Sequence, residues 1–290
     1  MSDKEFSEMK KGIVLEGGGM RGLFSCGIID VLLENHITFD GAVGVSAGAA
    51  FGCNLKSKQL GRALRYNLRF AGDNRYCSLF SLFKTGDLYN ADFCYRRIPN
   101  ELDLFDYETL KKNPMEFFMV VTDIESGKPV YSPLTDGNPE ELEWMRASAS
   151  MPLVARPVLI DGKKYLDGGI SDSIPLKFME SKGYKKNIVI LTQPKNYVKT
   201  KNGALPIVKL FLKKYPNLIQ ALASRHKMYN AETHYVFEQE KLGNALVFCP
   251  ETSLNISRTE KNKIKLQEVY DQGRILALKR LDEIKKFLEK

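Results

Sequence analysis

The chain alternates between short apolar runs and amphipathic stretches. Gly12 to Leu15 is an apolar run that ends in glycines, the pattern of a buried strand leading into a tight loop. GLFSCGIIDVLLENH follows, with Leu23, Ile28, Val31 and Leu32 near helical spacing. A second apolar run, Gly41 to Val45, precedes AGAAFGCNL, which reads as a tightly packed helix of small residues. This strand, helix, strand, helix series predicts an α/β fold with parallel strands. Residues 56–112 read as mostly helical and less regular. MEFFMVVTDI is the strongest strand, apolar at successive positions and so buried on both faces, and ESGKPVYSP turns back into another strand. ELEWMRASASM is a helix that stops before Pro152, and VLIDGKKYLDGG is a hairpin turning at Asp-Gly. IPLKFMESKG reads as a helix ending near Gly183, and KNIVILTQP as another buried strand. Arg258 to Lys290 predicts one long or two shorter surface helices. No internal repeat or low-complexity linker is evident. The expectation is one domain over 1–290, with a motif-bearing core at about 10–195 and a helical extension at about 200–290.

Composition narrows the class. A chain of 290 residues with 43% hydrophobic content can bury a sizeable core. It contains no apolar run of about 18 residues, so no transmembrane helix is predicted. The N-terminus MSDKEFSEMKKG has no apolar signal core, which argues against secretion. The cysteines at 26, 53, 77, 94 and 249 are scattered and form no CxxC pair, against a disulfide framework or a zinc knuckle. A reducing, cytoplasmic setting is expected. The net charge of +8 attracts anionic surfaces. The basic excess lies in KSKQLGRALRYNLR and among the lysines from Lys195 to Lys214. These are either ordinary solvated faces or a peripheral contact with anionic lipid at the inner membrane face. Zinc-finger spacing and RNA-binding aromatic motifs are lacking, so nucleic acid is not an expected partner.

GVSAG, Gly44 to Gly48, places a serine between small residues at the predicted strand-to-helix turn. Such a turn leaves little room, and glycines remove the side chains that would clash. It exposes the hydroxyl of Ser46 and aims a helix N-terminus at the site. The plainer reading is a serine that caps the following helix. Upstream, Gly17, Gly19 and Gly22 satisfy G-x-G-x-x-G, the form of a dinucleotide-binding loop. That function needs a carboxylate at the end of the second strand. Asp40 instead precedes the strand, and Ser46 takes its end. The same glycines can point successive N–H groups at an anion or oxyanion. Arg21 would then brace the loop carbonyls or meet an anionic group of the substrate.

A serine nucleophile needs a proton acceptor. The histidines are His36, His226 and His234. An order of Ser46, Asp167, then His226 or His234 can be written. However, only one strand precedes the Ser46 strand, and RHKMYNAETHY reads as a helix without a loop to present a histidine. Asp167 in DGG is the alternative: its glycines admit the carboxylate to a crowded site, where it could take the proton and return it to the leaving group. Burial and dipoles would have to tune it. Asp161 and Asp172 are similarly placed among turn residues, and Asp167 as a plain turn residue also stands.

Taken in order after an N-terminal strand, GGGMRG, GVSAG and DGG resemble the patatin-like phospholipase family, in its bacterial, cytoplasmic, single-domain form, over roughly residues 10–195. SASMPLVARP before DGG also looks like the family pattern. The resemblance implies a three-layer α/β/α fold with a mostly parallel sheet. It implies Ser46 as nucleophile, Asp167 as its partner in a Ser–Asp dyad, and Gly17, Gly18 and Gly19, with Arg21, as the oxyanion hole. Members hydrolyse lipid esters, so the expected activity is cleavage of carboxylic esters through an acyl-enzyme, with no cofactor and no metal. The alternative is a non-enzymatic protein that keeps the scaffold and binds acyl or anionic ligands. Met20 and Leu23 line an acyl pocket or belong to the core. RYCSLFSLFKTG, Arg75 to Gly86, is an apolar rim or a packed connector. Beyond about residue 200 the resemblance gives little.

Overall fold

In the computed structural model, residues 9–289 are described; the N-terminal segment read above for a signal core lies outside them up to residue 8. The first alternation forms β1 (Lys11–Leu15), α1 (Leu23–Glu34), β2 (Gly41–Val45) and α2 (Ala47–Lys56). Then come α3 (Arg62–Phe70), α4 (Leu79–Thr85), a π-helical segment (Phe93–Leu102) and α5 (Tyr107–Lys112). Pro99 lies inside the π-helical segment, where its missing N–H interrupts a regular α ladder. The middle of the chain supplies β3 (Glu116–Asp123), β4 (Pro129–Pro133), α6 (Pro139–Ser148), β5 (Val158–Ile160) and β6 (Lys163–Asp167). It ends with α7 (Leu176–Ser181), β7 (Lys186–Ile190), α8 (Leu205–Phe211), α9 (Pro216–Lys241), β8 (Ala245–Phe248), α10 (Lys263–Lys279) and α11 (Leu281–Glu289).

Among the described residues, eight strands form one mixed sheet, in the order β5-β6-β3-β2-β1-β7-β8, with β4 also on β3. β3, β2, β1, β7 and β8 are mutually parallel. Both faces are apolar, as buried parallel strands require. Ile13, Leu15, Ala42, Ile188 and Ile190 face a core built with α1, α2, α10 and α11. Val14, Val43, Val45 and Val189 face a second core with α7 and α9. Helices therefore cover the sheet on both sides.

Register decides what meets at the strand ends. Val45 of β2 pairs Val120 of β3, and Asp167 of β6 pairs Val121. β4 pairs Phe118 through Thr122, overlapping both, so it must occupy the other edge of β3. β2 and β6 thus meet end to end along one edge. The β5–β6 hairpin turns at Asp161 and Gly162, whose φ values of 49° and 75° suit the turn chemistry of Asp-Gly.

The tail departs from the surface helices expected. It is two helices, but α10 docks deeply on α1. A Cβ on Gly27 would lie 2.1 Å from the Tyr270 carbonyl oxygen, and one on Gly273 would lie 2.0 Å from that of Phe24. The two backbones are in contact at glycines that only this packing makes necessary. Ile284 and Leu288 of α11 are buried as well.

Candidate active site

Ser46 follows β2 with φ 57° and ψ −121°, a strained backbone for a residue with a side chain. Its surroundings hold it there. A Cβ on Gly48 would meet the Leu15 carbonyl oxygen at 2.2 Å, and one on Gly44 would meet the Gly48 carbonyl oxygen at 2.5 Å. The Ser46 N–H donates to Ser148 Oγ at 2.9 Å, and its carbonyl accepts from Ala49 and Ala50 at 3.0 Å each. Ser46 occupies the N-cap position of α2, yet its hydroxyl caps no helix N–H. The capping reading is therefore corrected: the side chain is not spent on the helix end.

Asp167 ends β6 and is 4% exposed. Its N–H donates to the Ser150 carbonyl at 2.8 Å, and its own carbonyl accepts from Thr122 Oγ1 at 2.8 Å. Oδ1 accepts from the Gly169 N–H at 2.8 Å, while Oδ2 is buried without a hydrogen bond. Burial raises this carboxyl above its ordinary pKa; Arg225, the Ser46 hydroxyl and the Gly169 N–H pull it back, in that order.

The glycine loop closes on Ser46 from β1. A Cβ on Gly17 would lie 2.7 Å from the Val45 carbonyl oxygen and 2.8 Å from Ser46 Cβ. Gly19 has φ 59°, and a Cβ there would strike the Arg258 carbonyl oxygen at 2.5 Å. Among the described residues, the N–H groups of Gly17 and Gly18 donate to no partner. Arg21 lies beside the loop, with Nη2 3.3 Å from where a Cβ on Gly18 would stand, and its Nε is buried without an acceptor. Glu16, just upstream, is buried beneath the loop. It accepts from the Thr192 N–H at 2.5 Å and from the Tyr229 hydroxyl at 2.8 Å, and burial raises its pKa.

Two cavities meet at the serine. One is an apolar chamber of about 190 Å³ lined by Met20, Phe51, Tyr66, Tyr76 and Met145 among others. The other is a polar recess of about 40 Å³ bounded by Gly17, Gly18, Arg21, Asp167, Lys199 and Arg225. Ser46, Gly19, Met151 and Arg258 line both. Met20 thus borders the chamber, whereas Leu23 belongs to the core alone. The segment from Arg75 to Gly86 divides: Tyr76 is packed against the chamber, while Leu79, Phe80 and Phe83 of α4 stand 78, 63 and 93% exposed.

The competing residues lie elsewhere. His36 is exposed, and His226 and His234 sit on α9 and line neither cavity. His234 Nδ1 is 3.5 Å from Glu238 on the same helix. Asp161 is in the hairpin turn, and Asp172 accepts from the Tyr131 hydroxyl at 2.6 Å without bordering the recess. Asp40 accepts from the Lys11 N–H at 2.7 Å, at the opposite end of the sheet from Ser46. No three His, Cys, Asp or Glu side chains among the described residues converge as metal ligands. Sequence reasoning missed Ser148, Glu16, Lys199, Arg225, Tyr229 and Arg258. One signal was present: Arg225, Tyr229 and Glu232 recur at helical spacing, one polar stripe turned toward the sheet.

The model of the patatin-like phospholipase family matches residues 13–179, more than half of the chain. The chain belongs to the patatin-like phospholipase family. Residues 215–289, which carry Arg225, Tyr229 and Arg258, match a second model described only as a domain of unknown function. The chain is 32% identical over 208 residues to the uncharacterized protein YjjU of Escherichia coli, covering 67% of this chain and 55% of that one. It is 24% identical over 278 residues to the lysophospholipase NTE1 of Scheffersomyces stipitis, covering 90% of this chain but 17% of that protein. It therefore spans about half or less of these relatives' lengths. VipD from Legionella pneumophila overlays 95% of this chain and 67% of its own, with a TM-score of 0.47 and 12% identity.

Proposed function

We propose that this chain is a serine acyl hydrolase that cleaves carboxylic esters of lipids through a Ser46–Asp167 dyad. The observation that carries this reading is the end-to-end meeting of β2 and β6. It sets a strained, uncapped serine and a buried aspartate on one recess, at the mouth of an apolar chamber. The acyl chain lies in the chamber and its carbonyl carbon reaches Ser46. Asp167 takes the hydroxyl proton as Oγ attacks, and the N–H groups of Gly17 and Gly18 receive the oxyanion. Asp167 then protonates the leaving alcohol, and water releases the acid from Ser46 by the reverse proton path. The family and the lysophospholipase relative support a lipid ester.

A non-enzymatic binding protein would have no use for strain at Ser46 or for a buried carboxylate oxygen without a partner, both of which cost stability. We read 1–290 as one working unit, because α9 lies outside the patatin-like match and yet borders the recess. No helix among the described residues is long and apolar enough to cross a membrane. The exposed Leu79, Phe80 and Phe83 would rest on a lipid surface from the cytoplasmic side. The deciding experiment is labelling with a fluorophosphonate probe alongside hydrolysis of a soluble ester. Ser46→Ala is expected to lose both while keeping the wild-type circular dichroism. Turnover retained in the purified variant would rule the mechanism out.

A further inference from the structure

We propose that Glu232 of α9 is a positioning residue for Asp167: in its protonated form it latches the chain that follows Asp167 to α9, and it lets go as that proton is lost at alkaline pH. This rests on the hydrolase reading above and names a regulation of the same site.

The contacts of α9 show what the latch holds. Arg225, Tyr229 and Glu232 stand at i, i+4 and i+7, so they share one face of the helix. Each meets a different part of the site. Arg225 Nε donates to the Gly169 carbonyl, just after Asp167. The Tyr229 hydroxyl donates to Glu16, beneath the glycine loop, at 2.8 Å. Glu232 Oε2 accepts from the N–H groups of Ser173 and Ile174 at 3.1 Å each. The chain from Gly169 to Ile174 is thus gripped by α9 at both ends, and the Ser173 hydroxyl donates back to the Gly169 carbonyl at 2.8 Å. Ser173 borders the recess, whereas Glu232 and Asp172 line neither cavity. Glu232 therefore acts on Asp167 through this chain and touches no reacting atom.

The grip depends on a proton. The Glu232 and Asp172 carboxyls lie within hydrogen-bonding reach of one another, which requires a proton between them. Asp172 already accepts from the Tyr131 hydroxyl at 2.6 Å, so it serves as the acceptor and Glu232 as the donor. Both side chains are half-buried. Among the described residues no Lys, Arg or His nitrogen lies within 4.0 Å of either carboxyl. Burial, and then the Asp172 charge, raise the Glu232 pKa well above the ordinary value of 4.5, against the pull of the Ser173 and Ile174 N–H groups. Burial raises Asp172 too, and Tyr131, Glu232 and the Ile174 N–H lower it, in that order. The pair therefore carries one shared proton at neutral pH.

No cation waits to replace that proton. The group facing the pair from β4 is Tyr131. On α7, Glu180 accepts from the Tyr235 hydroxyl at 2.6 Å, and the Lys177 ammonium sits 4.5 Å from the Tyr235 ring centroid. On α9 itself, Tyr229 is spent on Glu16. A folded pKa above the unfolded one means that the latch contributes stability at low pH and loses it as pH rises through the folded value. Two adjacent carboxylates then repel, and α9 loosens its hold on the chain behind Asp167.

The test is the pH dependence of kcat and KM on a soluble ester, with amide hydrogen exchange of residues 168–174 in the same full-length samples. Glu232→Ala is expected to lower kcat by about tenfold or more with little change in KM, because alignment is lost. Glu232→Gln offers a carbonyl to Ser173 and Ile174 and an amide N–H to Asp172, so it should recover most of that loss. It has no proton to release, so the alkaline fall of wild-type kcat/KM should move to higher pH or vanish. Exchange in 168–174 should also climb with pH more steeply in wild type than in Glu232→Gln; comparison at each pH cancels the intrinsic rate.

An alkaline limb that is the same in both proteins belongs to another group, such as Lys199, whose pKa burial lowers to about 8, and it overturns the latch. Identical exchange in the two proteins overturns it as well. The exchange measurement needs no turnover, and the Gln comparison holds even where Glu232→Ala fails to fold. If wild type hydrolyses no ester while exchange differs as expected, the hydrolase reading fails and the proton latch stands. Hydrolysis with the same limb and the same exchange in both proteins reverses that outcome.

Discussion

Gly17→Ala tests whether the glycine loop and the serine turn act as one unit. The added Cβ would stand 2.7 Å from the Val45 carbonyl oxygen and 2.8 Å from Ser46 Cβ. Ordinary contact begins at 3.4 Å, so the loop and the turn must separate by about 0.7 Å. Neither neighbour is the free end of a long side chain, so neither can swing aside cheaply. Gly17 has no left-handed φ, and the change therefore acts through this contact rather than through backbone strain. Overpacking of this kind costs about 1–3 kcal/mol, which leaves most of the protein folded when total stability is about 5–15 kcal/mol. Catalysis is far more sensitive. Displacing an oxyanion donor costs about 3 kcal/mol of transition-state stabilisation, a loss of about 10²-fold or more in kcat. The measurement is kcat and KM on a soluble ester, with a thermal melt of the same sample. Gly203→Ala serves as the control, since a Cβ there meets nothing within 4 Å. Wild-type kcat in a folded Gly17→Ala would refute the idea that this loop receives the oxyanion.

Asp167→Asn keeps the shape but removes the proton acceptor, so it should lose most ester turnover, while His226→Ala and His234→Ala stay within a few-fold of wild type; the opposite pattern in kcat/KM would restore a histidine base. Because Asp167 must be ionised to act and burial raises its pKa, the acid limb of the kcat/KM profile should lie above the ordinary aspartate value of 3.8. Arg225→Gln removes the largest influence lowering that pKa and should move the limb to higher pH. The same raised pKa means that the folded state binds the Asp167 proton more tightly than the unfolded state. Stability from this group is therefore present at low pH and lost as pH rises through the folded value, so Asp167→Asn should gain stability relative to wild type across that window in paired denaturation curves. Gly273→Leu forces α10 away from the Phe24 carbonyl and should lower stability by about 1–3 kcal/mol or release the tail to protease; an unchanged denaturation midpoint would contradict the close helix contact.

Much of the site could be read along the chain because its parts are local. The strand, the small-residue turn and the helix that carry Ser46 are consecutive, so apolar patterning and glycine placement determined them. The same holds for the glycine loop after β1 and for DGG after a short strand. What patterning could not determine was pairing. Ser46 and Asp167 are 121 positions apart, and it is the register of β2 and β6 on one edge of β3 that joins them. A histidine base remained possible in sequence because α9 could have turned any side toward the site; packing turns Arg225 and Tyr229 inward and leaves His234 on Glu238. Nothing in the spacing of Gly27 and Gly273 signals that two helix backbones meet across them. The polar recess shows this most clearly. Its cations, Arg21, Lys199, Arg225 and Arg258, come from three loops and a helix with no common spacing, and Coulomb interactions depend on distance in space, which the order of residues does not specify.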